Sequence, residues 1–467
     1  MLNPDEAIEA FRQGKLDFDC KRMVLTQRKK KGGERFSGKG YIRQLDDGTL
    51  IFKIYVTRRN AKPLSHLEAL YRTKAGEVHL DDLYYDLKAT AHDGTKWGAT
   101  RIMPAPDWDF GDANDISVIV GGKLQSIVAP LNRDWYKLHS KHYLRLHFFE
   151  EYELPLVLMS EVKDHDETRW VSDRAEFEAC GAQFVVRKKR ETGATVVEVT
   201  SDKKFPAAFD LRVQEAMQYI AAKTVLWRAQ VTNVRGGLRL ELAMPWRKPS
   251  RTQFNQPIEA SALIDFRGHG WKLFGKYLEY VSKYTRGTYW NPVAYHLFSA
   301  CEATANSVDA WAVGVSVAVE AISSLVVLKE DRKKAAQTKR LQKAMQKWLA
   351  GQSFSDDQTK RVDGIIRNLS EKRPQGTMYE LAKTGHLEKT YIKAWQNLRN
   401  RQVHPKLKDL KRPSPKDTQK LLDDIHRTEV LLRQLTFFLI GYEGPFTDYG
   451  VHGDHAFASK QYPLTVA

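Results

Sequence analysis

The sequence predicts a multidomain α+β protein in which a β-rich N-terminal domain, a sandwich or an open barrel, precedes an all-α helical bundle. Up to about residue 265, alternating apolar runs are separated by turn signals, whereas from about residue 270 the apolar residues recur with a helical period. The polar segment 248–261 contains two prolines and separates the two patterns. We therefore predict one domain at 1–265 and a second at 266–467, which ends in a tail rich in glycine and aromatic residues.

Turn and cap residues locate the individual elements. Asp47 and Gly48 lie between two alternating runs, which is a strong hairpin signal. The same pattern predicts hairpins at 41–56, 89–103, 183–201 and 227–244, and a helical period predicts one helix at 210–222. In the C-terminal half, helices are predicted at 271–284, 291–305, 307–329, 332–350, 356–370, 376–383, 388–404 and 416–440. N-cap residues followed by proline, Asn291 and Ser414, support two of these helices.

The charge of the chain indicates its class of partner. The 467 residues carry a formal net charge of +17. Such an excess of Lys and Arg attracts polyanions, so RNA, DNA and anionic membranes are the favoured partners. The three cysteines are far apart and form no CxxC pair, which argues against a disulfide framework and indicates a reducing compartment. Because the N-terminal segment carries acids and no apolar secretory core, we expect a cytoplasmic protein.

The apolar segment 310–328 is long enough to cross a membrane, and a membrane-associated effector is one interpretation. Glu320 lies near its middle, however, and Gly314 and Ser316 interrupt it. A helix that is apolar on almost all sides is equally typical of the centre of a helical bundle. We favour the bundle and expect no membrane association, in which case Glu320 needs a partner.

A helix near the C-terminus gathers side chains that suit chemistry on phosphates. Its apolar stripe follows i, i+4, i+7 spacing and consists of Tyr391, Trp395 and Leu398, with Ala394 beside them. Arg399 and Asn400 lie at the edge of this stripe, and His404 is the i+4 neighbour of Asn400. Pro405 disfavours the α region at His404, so we expect the helix to end there.

An arginine, an amide and an imidazole in this arrangement suit the cleavage of a phosphodiester. A guanidinium binds two phosphate oxygens at once, and an imidazole exchanges a proton with a ribose 2′-hydroxyl or a leaving oxygen at neutral pH. Such cleavage needs no metal or other cofactor and leaves a 2′,3′-cyclic phosphate, which RNA can form and DNA cannot. The alternative is structural: Arg399 is solvated or ion-paired, and His404 caps the helix C-terminus.

The C-terminal half resembles the HEPN family of small all-α domains, roughly over 290–450. The resemblance rests on an apolar helix with an internal glutamate (VAVEAISSLVV), a basic helix, the RN-x-x-x-H motif and a last long helix ending in LIGYEGPFTDYG. Arg399, Asn400 and His404 match the family motif position by position. With its large β-rich N-terminal region, the chain is similar to the ApeA-like proteins of bacterial abortive-infection defence against phages.

The resemblance implies a metal-independent endoribonuclease with a composite active site, which forms when two HEPN domains pair in a homodimer. It also implies a further catalytic residue from another helix, for which Glu320 is the candidate; the structural alternative is a glutamate paired with Arg399. The substrate would be host or phage RNA, tRNA included. The N-terminal domain would act as a sensor or inhibitory module with a phage-derived activator. The runner-up is a non-catalytic module that dimerises or binds RNA.

Each of the remaining charged clusters can be interpreted either as a binding site or as an ordinary solvated surface. Basic segments at 27–36, 329–347 and 406–416 are RNA-binding surfaces or merely solvated faces. The last directly follows His404, so we predict RNA contacts there from Lys406, Lys408, Lys411 and Arg412. Four aspartates, Asp107, Asp109, Asp112 and Asp115, invite a metal-site interpretation, but their spacing favours an acidic surface loop. His452 and His455 form a lone HxxH pair, and we expect no metal site.

Overall fold

The protein, described here by a computed structural model, has most of its strands in the N-terminal part of the chain and most of its helices in the C-terminal part. This arrangement confirms the predicted α+β fold class. The structure describes residues 3–29, 31–59, 77–110, 116–132, 142–164, 167–234, 237–245, 252, 254–262, 264–328, 331–368, 374–403, 414–451 and 457–464.

The chain forms two compact units, each built from three segments of the sequence. The first unit consists of Met1–Tyr152, Val157–Pro206 and Leu226–Pro249. The second consists of Glu153–Leu156, Ala207–Val225 and Ser250–Ala467. The units therefore differ from the predicted ranges 1–265 and 266–467, because the helix predicted at 210–222 belongs to the helical unit and not to the β-rich one.

In its described residues the first unit contains one short α-helix, a single 3₁₀ turn at Asp81–Leu83 and one large sheet. The elements are α1 Pro4–Arg12, β1 Asp17–Gln27, β2 Arg35–Gln44, β3 Leu50–Arg59, β4 Tyr85–Ala91, β5 Lys96–Ile102, β6 Ala105–Phe110, β7 Ile116–Leu124, β8 Ser126–Leu131, β9 His142–Glu151, β10 Leu158–Asp164, β11 Glu167–Ala179, β12 Ala182–Lys188, β13 Ala194–Ser201, β14 Ala229–Val234 and β15 Gly237–Ala243. Among the described residues these 15 strands hydrogen-bond in the order β10-β11-β12-β13-β9-β14-β15-β8-β5-β4-β1-β2-β3-β7-β6. Neighbouring strands are antiparallel, as expected for hairpin connections.

The four predicted hairpins correspond to the pairs β2–β3, β4–β5, β12–β13 and β14–β15. In the first, Leu45 N–H donates to Thr49 O at 2.8 Å, and Gly48 adopts a φ of +81°. Only glycine takes this backbone conformation without strain, so the turn dipeptide was an informative signal. Strand β4 alternates buried and more exposed residues, which directs one face of the strand into the core.

The second unit is helical and ends in a small hairpin. Its elements are α2 Phe209–Ala221, α3 Ile264–Tyr284, α4 Pro292–Ala303, α5 Val308–Leu325, α6 Asp331–Ala350, α7 Asp356–Asn368, α8 Pro374–Lys383, α9 Lys389–Val403, α10 Pro415–Ile440, β16 Gly444–Asp448 and β17 Ala458–Tyr462. Each of the eight helices predicted beyond residue 270 has a counterpart here. The hairpin in the glycine-rich and aromatic tail was not predicted.

Side-chain caps fix where two of these helices begin. The Asn291 side chain accepts from Val293 N–H at 2.9 Å at the start of α4. At the start of α10, Ser414 Oγ accepts from Asp417 N–H at 3.2 Å, and the Asp417 carboxylate accepts in return from Ser414 N–H at 3.1 Å. These bonds satisfy backbone donors that a helix leaves without partners at its first turn. Because only a few residue types can do this, both caps could be predicted from the sequence.

Helix α5, which contains the apolar segment, packs against α4, α8, α9 and α10. By length and composition it would also span a membrane. Trp311 on α5 donates through Nε1 to Glu429 on α10 at 2.6 Å, and the backbone O of Ser316 accepts from Trp395 Nε1 on α9 at 3.1 Å. These hydrogen bonds join the segment to neighbouring helices, so it is a central helix of the bundle.

Candidate active site

Arg399 on α9 and Glu320 on α5 form a bidentate ion pair, although they are 79 positions apart in the sequence. Arg399 Nε donates to Glu320 Oε2 at 2.9 Å, and Arg399 Nη2 donates to Oε1 at 3.3 Å. Their side chains are 35% and 40% exposed, so the pair lies at the surface of the helical unit and not in its core. A ligand in solution can therefore reach the guanidinium.

The packing of α9 on α5 sets the position of Arg399. The predicted stripe is buried, and its members are Tyr391, Ala394, Trp395 and Leu398. Ile392 is buried as well, which the i, i+4, i+7 pattern did not include. Because Leu398 points into the core, its neighbour Arg399 lies at the edge of the helix–helix contact, one turn beyond the Trp395 to Ser316 hydrogen bond.

Glu320 occupies the corresponding edge of α5. Its helix neighbours Val319 and Ile322 are fully buried, whereas Glu320 itself is about half-buried. The backbone O of Glu320 also accepts from Ser323 Oγ at 2.8 Å and from Ser324 Oγ at 2.9 Å. The partner that a glutamate in this apolar helix requires is thus Arg399.

The rest of the predicted motif is placed only in part. Asn400 is exposed and follows Arg399 on α9, which runs to Val403. His404 lies outside the described residues, and so do the predicted RNA contacts Lys406, Lys408, Lys411 and Arg412. Their roles stay predictions.

A buried aspartate, which sequence reasoning missed, anchors the start of α9. The Asp448 carboxylate on β16 is fully buried and accepts from Tyr391 Oη, with both oxygens at 2.8 Å. It also accepts from Gly450 N–H at 2.9 Å and lies 2.7 Å from Lys460 Nζ on β17. The available signal was an acid among aromatic residues in PFTDYG, because a buried carboxylate is retained only where partners surround it.

Glu429 and Glu215 are further buried carboxyls of the helical unit. Glu429 on α10 accepts from Trp311 Nε1 at 2.6 Å and from Asn255 Nδ2 at 2.5 Å. Burial raises its pKa to about 7, against the opposing effect of Arg433. Glu215 on α2 lies 3.1 Å from Arg212, and burial likewise raises the pKa of Glu215 to about 7. Both carboxyls therefore hold a proton more tightly in the folded chain than in the unfolded one.

This raised affinity of Glu429 and Glu215 for protons predicts that the helical unit loses stability as pH rises. Because the pKa of each carboxyl is above the ordinary 4.5 in the folded chain, protonation contributes to the free energy of unfolding. This contribution is complete below pH 4.5 and is lost as pH rises through about 7. The expected loss is about 1 kcal/mol for each carboxyl between about pH 6 and about pH 8. Urea unfolding followed by tryptophan fluorescence measures it. Glu429→Gln removes one of the two titrating carboxyls, so it should remove about half of the stability difference between the two pH values. A wild-type protein that is equally stable at both pH values would contradict the prediction.

The aspartates of segment 107–115 and the HxxH pair, which were considered as metal ligands in the sequence, are placed only in part. Asp107 and Asp109 lie on β6, whereas Asp112, Asp115, His452 and His455 lie outside the described residues. Within the described part of the chain, no three His, Cys, Asp or Glu side chains are grouped as metal ligands.

Comparison with known proteins adds no independent family assignment. No protein-family model, no curated protein and no solved structure matches the chain.

Proposed function

We propose that the protein is a metal-independent endoribonuclease of the HEPN type. The observation that carries the proposal is the partly exposed Arg399 guanidinium, which Glu320 holds at the surface beside exposed Asn400. The motif continues to His404, four residues beyond Asn400 in the sequence. A fixed guanidinium and a nearby imidazole are the two groups that cleavage by an internal 2′-hydroxyl requires.

The ion pair leaves part of the guanidinium available for a phosphate. Nε and one hydrogen of Nη2 are directed to Glu320, while Nη1 makes no hydrogen bond to another described residue. The edge formed by Nη1 and Nη2 matches the spacing of two phosphate oxygens. In this proposal Glu320 positions Arg399 and does not itself contact the substrate.

The reaction begins when the ribose 2′-oxygen attacks phosphorus and loses its proton to an imidazole. The bond from phosphorus to the 5′-oxygen breaks, and that oxygen takes a proton from a second acid. The products are a 2′,3′-cyclic phosphate and a 5′-hydroxyl. Arg399 stabilises the charge that develops on the phosphoryl oxygens.

One His404 per chain supplies one proton-transfer group, so we propose a homodimer through the helical bundle in which two motifs form one site. Exposed Val313 and Val317 on α5 lie on the side of the helix that carries Glu320, and they offer an apolar contact surface for a second copy. The RNA, tRNA among the candidates, would be cut in the cytoplasm during abortive infection. The N-terminal unit would hold the site silent until a phage-derived component binds.

The ion pair also supports a second candidate, a non-catalytic module that dimerises or binds RNA. If Arg399 serves only to neutralise Glu320, the two residues stabilise the contact between α5 and α9 and perform no chemistry. The two candidates differ in whether purified protein cuts RNA.

The proposed nuclease is expected to cut total cellular RNA in the presence of EDTA and to leave fragments with 2′,3′-cyclic phosphate ends. The mechanism needs no divalent ion, because the arginine and the imidazole supply the positive charge and the proton transfer. Sequencing of fragment ends with and without removal of the cyclic phosphate measures the outcome. Cleavage that stops with EDTA, or fragments with 3′-hydroxyl ends, would refute the proposal.

A further inference from the structure

A basic groove lies on the outer face of the sheet in the first unit, across β1, β4 and β5. Its volume is about 600 Å³, and its lining includes Arg22, Lys88 and Lys96, with Arg35 from β2. Volumes of this size are typical of small-molecule sites. The proposed nuclease chemistry does not account for this groove. Of the basic segments singled out in the sequence, only 27–36 contributes to it, through Gln27 and Arg35.

Strand alternation and register bring these cations together. On β4, Leu87 and Ala89 enter the core, so Lys88 points to the opposite face. Strand pairing places Lys88 opposite Val24 of β1.

Two more cations lie on the same face of the sheet, two residues further along β4, where Thr90 pairs with both neighbouring strands. Thr90 of β4 lies opposite Arg22 of β1 on one side and Lys96 of β5 on the other. Since adjacent strands are about 4.8 Å apart, the backbones that carry Arg22 and Lys96 are separated by about 10 Å.

The groove carries a local excess of positive charge. Asp86 is its one lining carboxylate, and it already accepts from Arg101 N–H at 3.2 Å and lies 3.6 Å from Arg28 Nε. Arg22, Lys88 and Lys96 make no ion pair within the described part of the chain. Cations held this close without counter-charges favour binding of a multiply charged anion.

The groove offers little to a nucleic-acid base. Trp97, its one aromatic lining residue, is 5% exposed and stacks on Phe18 with ring centroids 5.1 Å apart. Stacking against an exposed aromatic ring is the usual way in which a protein holds an unpaired base. The polar lining instead supplies hydroxyl groups, from Thr26 and Thr90, which suit phosphate oxygens.

We propose that this groove binds a ligand that carries a chain of phosphate groups, such as the triphosphate of a nucleotide. Arg22 and Lys96 bind the chain from its two sides, and Lys88 binds it from the floor of the groove. The inference does not depend on the proposed nuclease activity, because it concerns the β-rich unit alone.

Isothermal titration of the full-length protein with inorganic tripolyphosphate, ATP and a short oligodeoxynucleotide tests the proposal. We expect the first two to bind, and Arg22→Gln with Lys88→Gln to weaken both by at least about tenfold, since charge-assisted hydrogen bonds are lost. The matched control, Lys203→Gln with Lys204→Gln, removes the same charge from exposed positions of the same unit and should bind as the wild type does. Tighter binding of ATP than of tripolyphosphate would identify a nucleotide, and equal binding would identify the phosphate chain alone; either supports the proposal.

Three outcomes would overturn it: no binding of tripolyphosphate, an equal loss in the control variant, or dependence on Arg22 and Lys88 for the oligodeoxynucleotide alone. All four replaced side chains are exposed, so the variants are expected to unfold at the wild-type temperature. If the groove variant melts earlier, Lys96→Gln, at the exposed end of β5, replaces it and must show the same selective loss.

Discussion

Arg399→Ala and His404→Ala are each expected to abolish RNA cleavage while the protein stays folded. Loss of one proton-transfer group lowers a rate by about 10²- to 10⁴-fold, and loss of a donor that stabilises an oxyanion costs about 10²- to 10³-fold. The Arg399–Glu320 pair is more than a third exposed, so its removal costs at most about 1 kcal/mol of stability. Cleavage rates and urea unfolding, measured on the same preparations, separate the two effects.

Two variants serve as controls for this result. Asn400→Ala should be milder, because an amide positions a phosphate or an imidazole but transfers no proton. His79→Ala replaces an exposed histidine of the β-rich unit and should leave the rate unchanged. Wild-type cleavage by His404→Ala, or unfolding of both motif variants, would remove the catalytic assignment.

Asp448→Ala is expected to produce the largest loss of stability in the helical unit, about 2–5 kcal/mol, because it leaves the buried Tyr391 hydroxyl and Gly450 N–H without an acceptor and the partly exposed Lys460 without its counter-charge. The carboxylate is fully buried and binds Tyr391, Gly450 and Lys460 together. Since Tyr391 belongs to α9, the variant should also weaken the placement of Arg399 and slow cleavage. Urea unfolding monitored by circular dichroism measures the stability change.

Comparison with two milder substitutions tests the origin of that loss. Tyr391→Phe removes one hydrogen bond but keeps the ring, so about 1–2 kcal/mol is expected. Asp357→Ala removes an exposed aspartate that pairs with Arg361 and should change nothing measurable. Equal stability of Asp448→Ala and the wild type would mean that the tail hairpin does not anchor α9.

Local patterns made much of the fold predictable. Gly48 marked a turn because its backbone conformation excludes most other residues, and Asn291 and Ser414 marked helix starts because their side chains replace missing backbone partners. The sequence suggested Glu320 and Arg399 as partners, since a carboxylate in an apolar helix needs a counter-charge. Each of these features depends on a few neighbouring residues or on one strong chemical requirement.

Long-range pairing was not predictable in the same way. The sequence does not reveal that β5 pairs with β8 or that α2 packs with the helical unit, because many registers satisfy the same alternation of apolar residues. Asp448 and Glu429 were missed for a related reason. A buried acid looks like a surface acid until the tyrosine, tryptophan or asparagine that binds it is known.

The measurement that tests the central claim most directly is RNA cleavage by a charge-swapped protein, Glu320→Arg with Arg399→Glu. The swap preserves an ion pair between α5 and α9, so the double variant should be more stable than Glu320→Arg alone. It removes the guanidinium from the position at which we propose that it binds the phosphate, so cleavage should stay at least about 10²-fold below wild type. Recovery of wild-type cleavage by the swapped protein would contradict the account, because Arg399 would then act only through its pairing with Glu320.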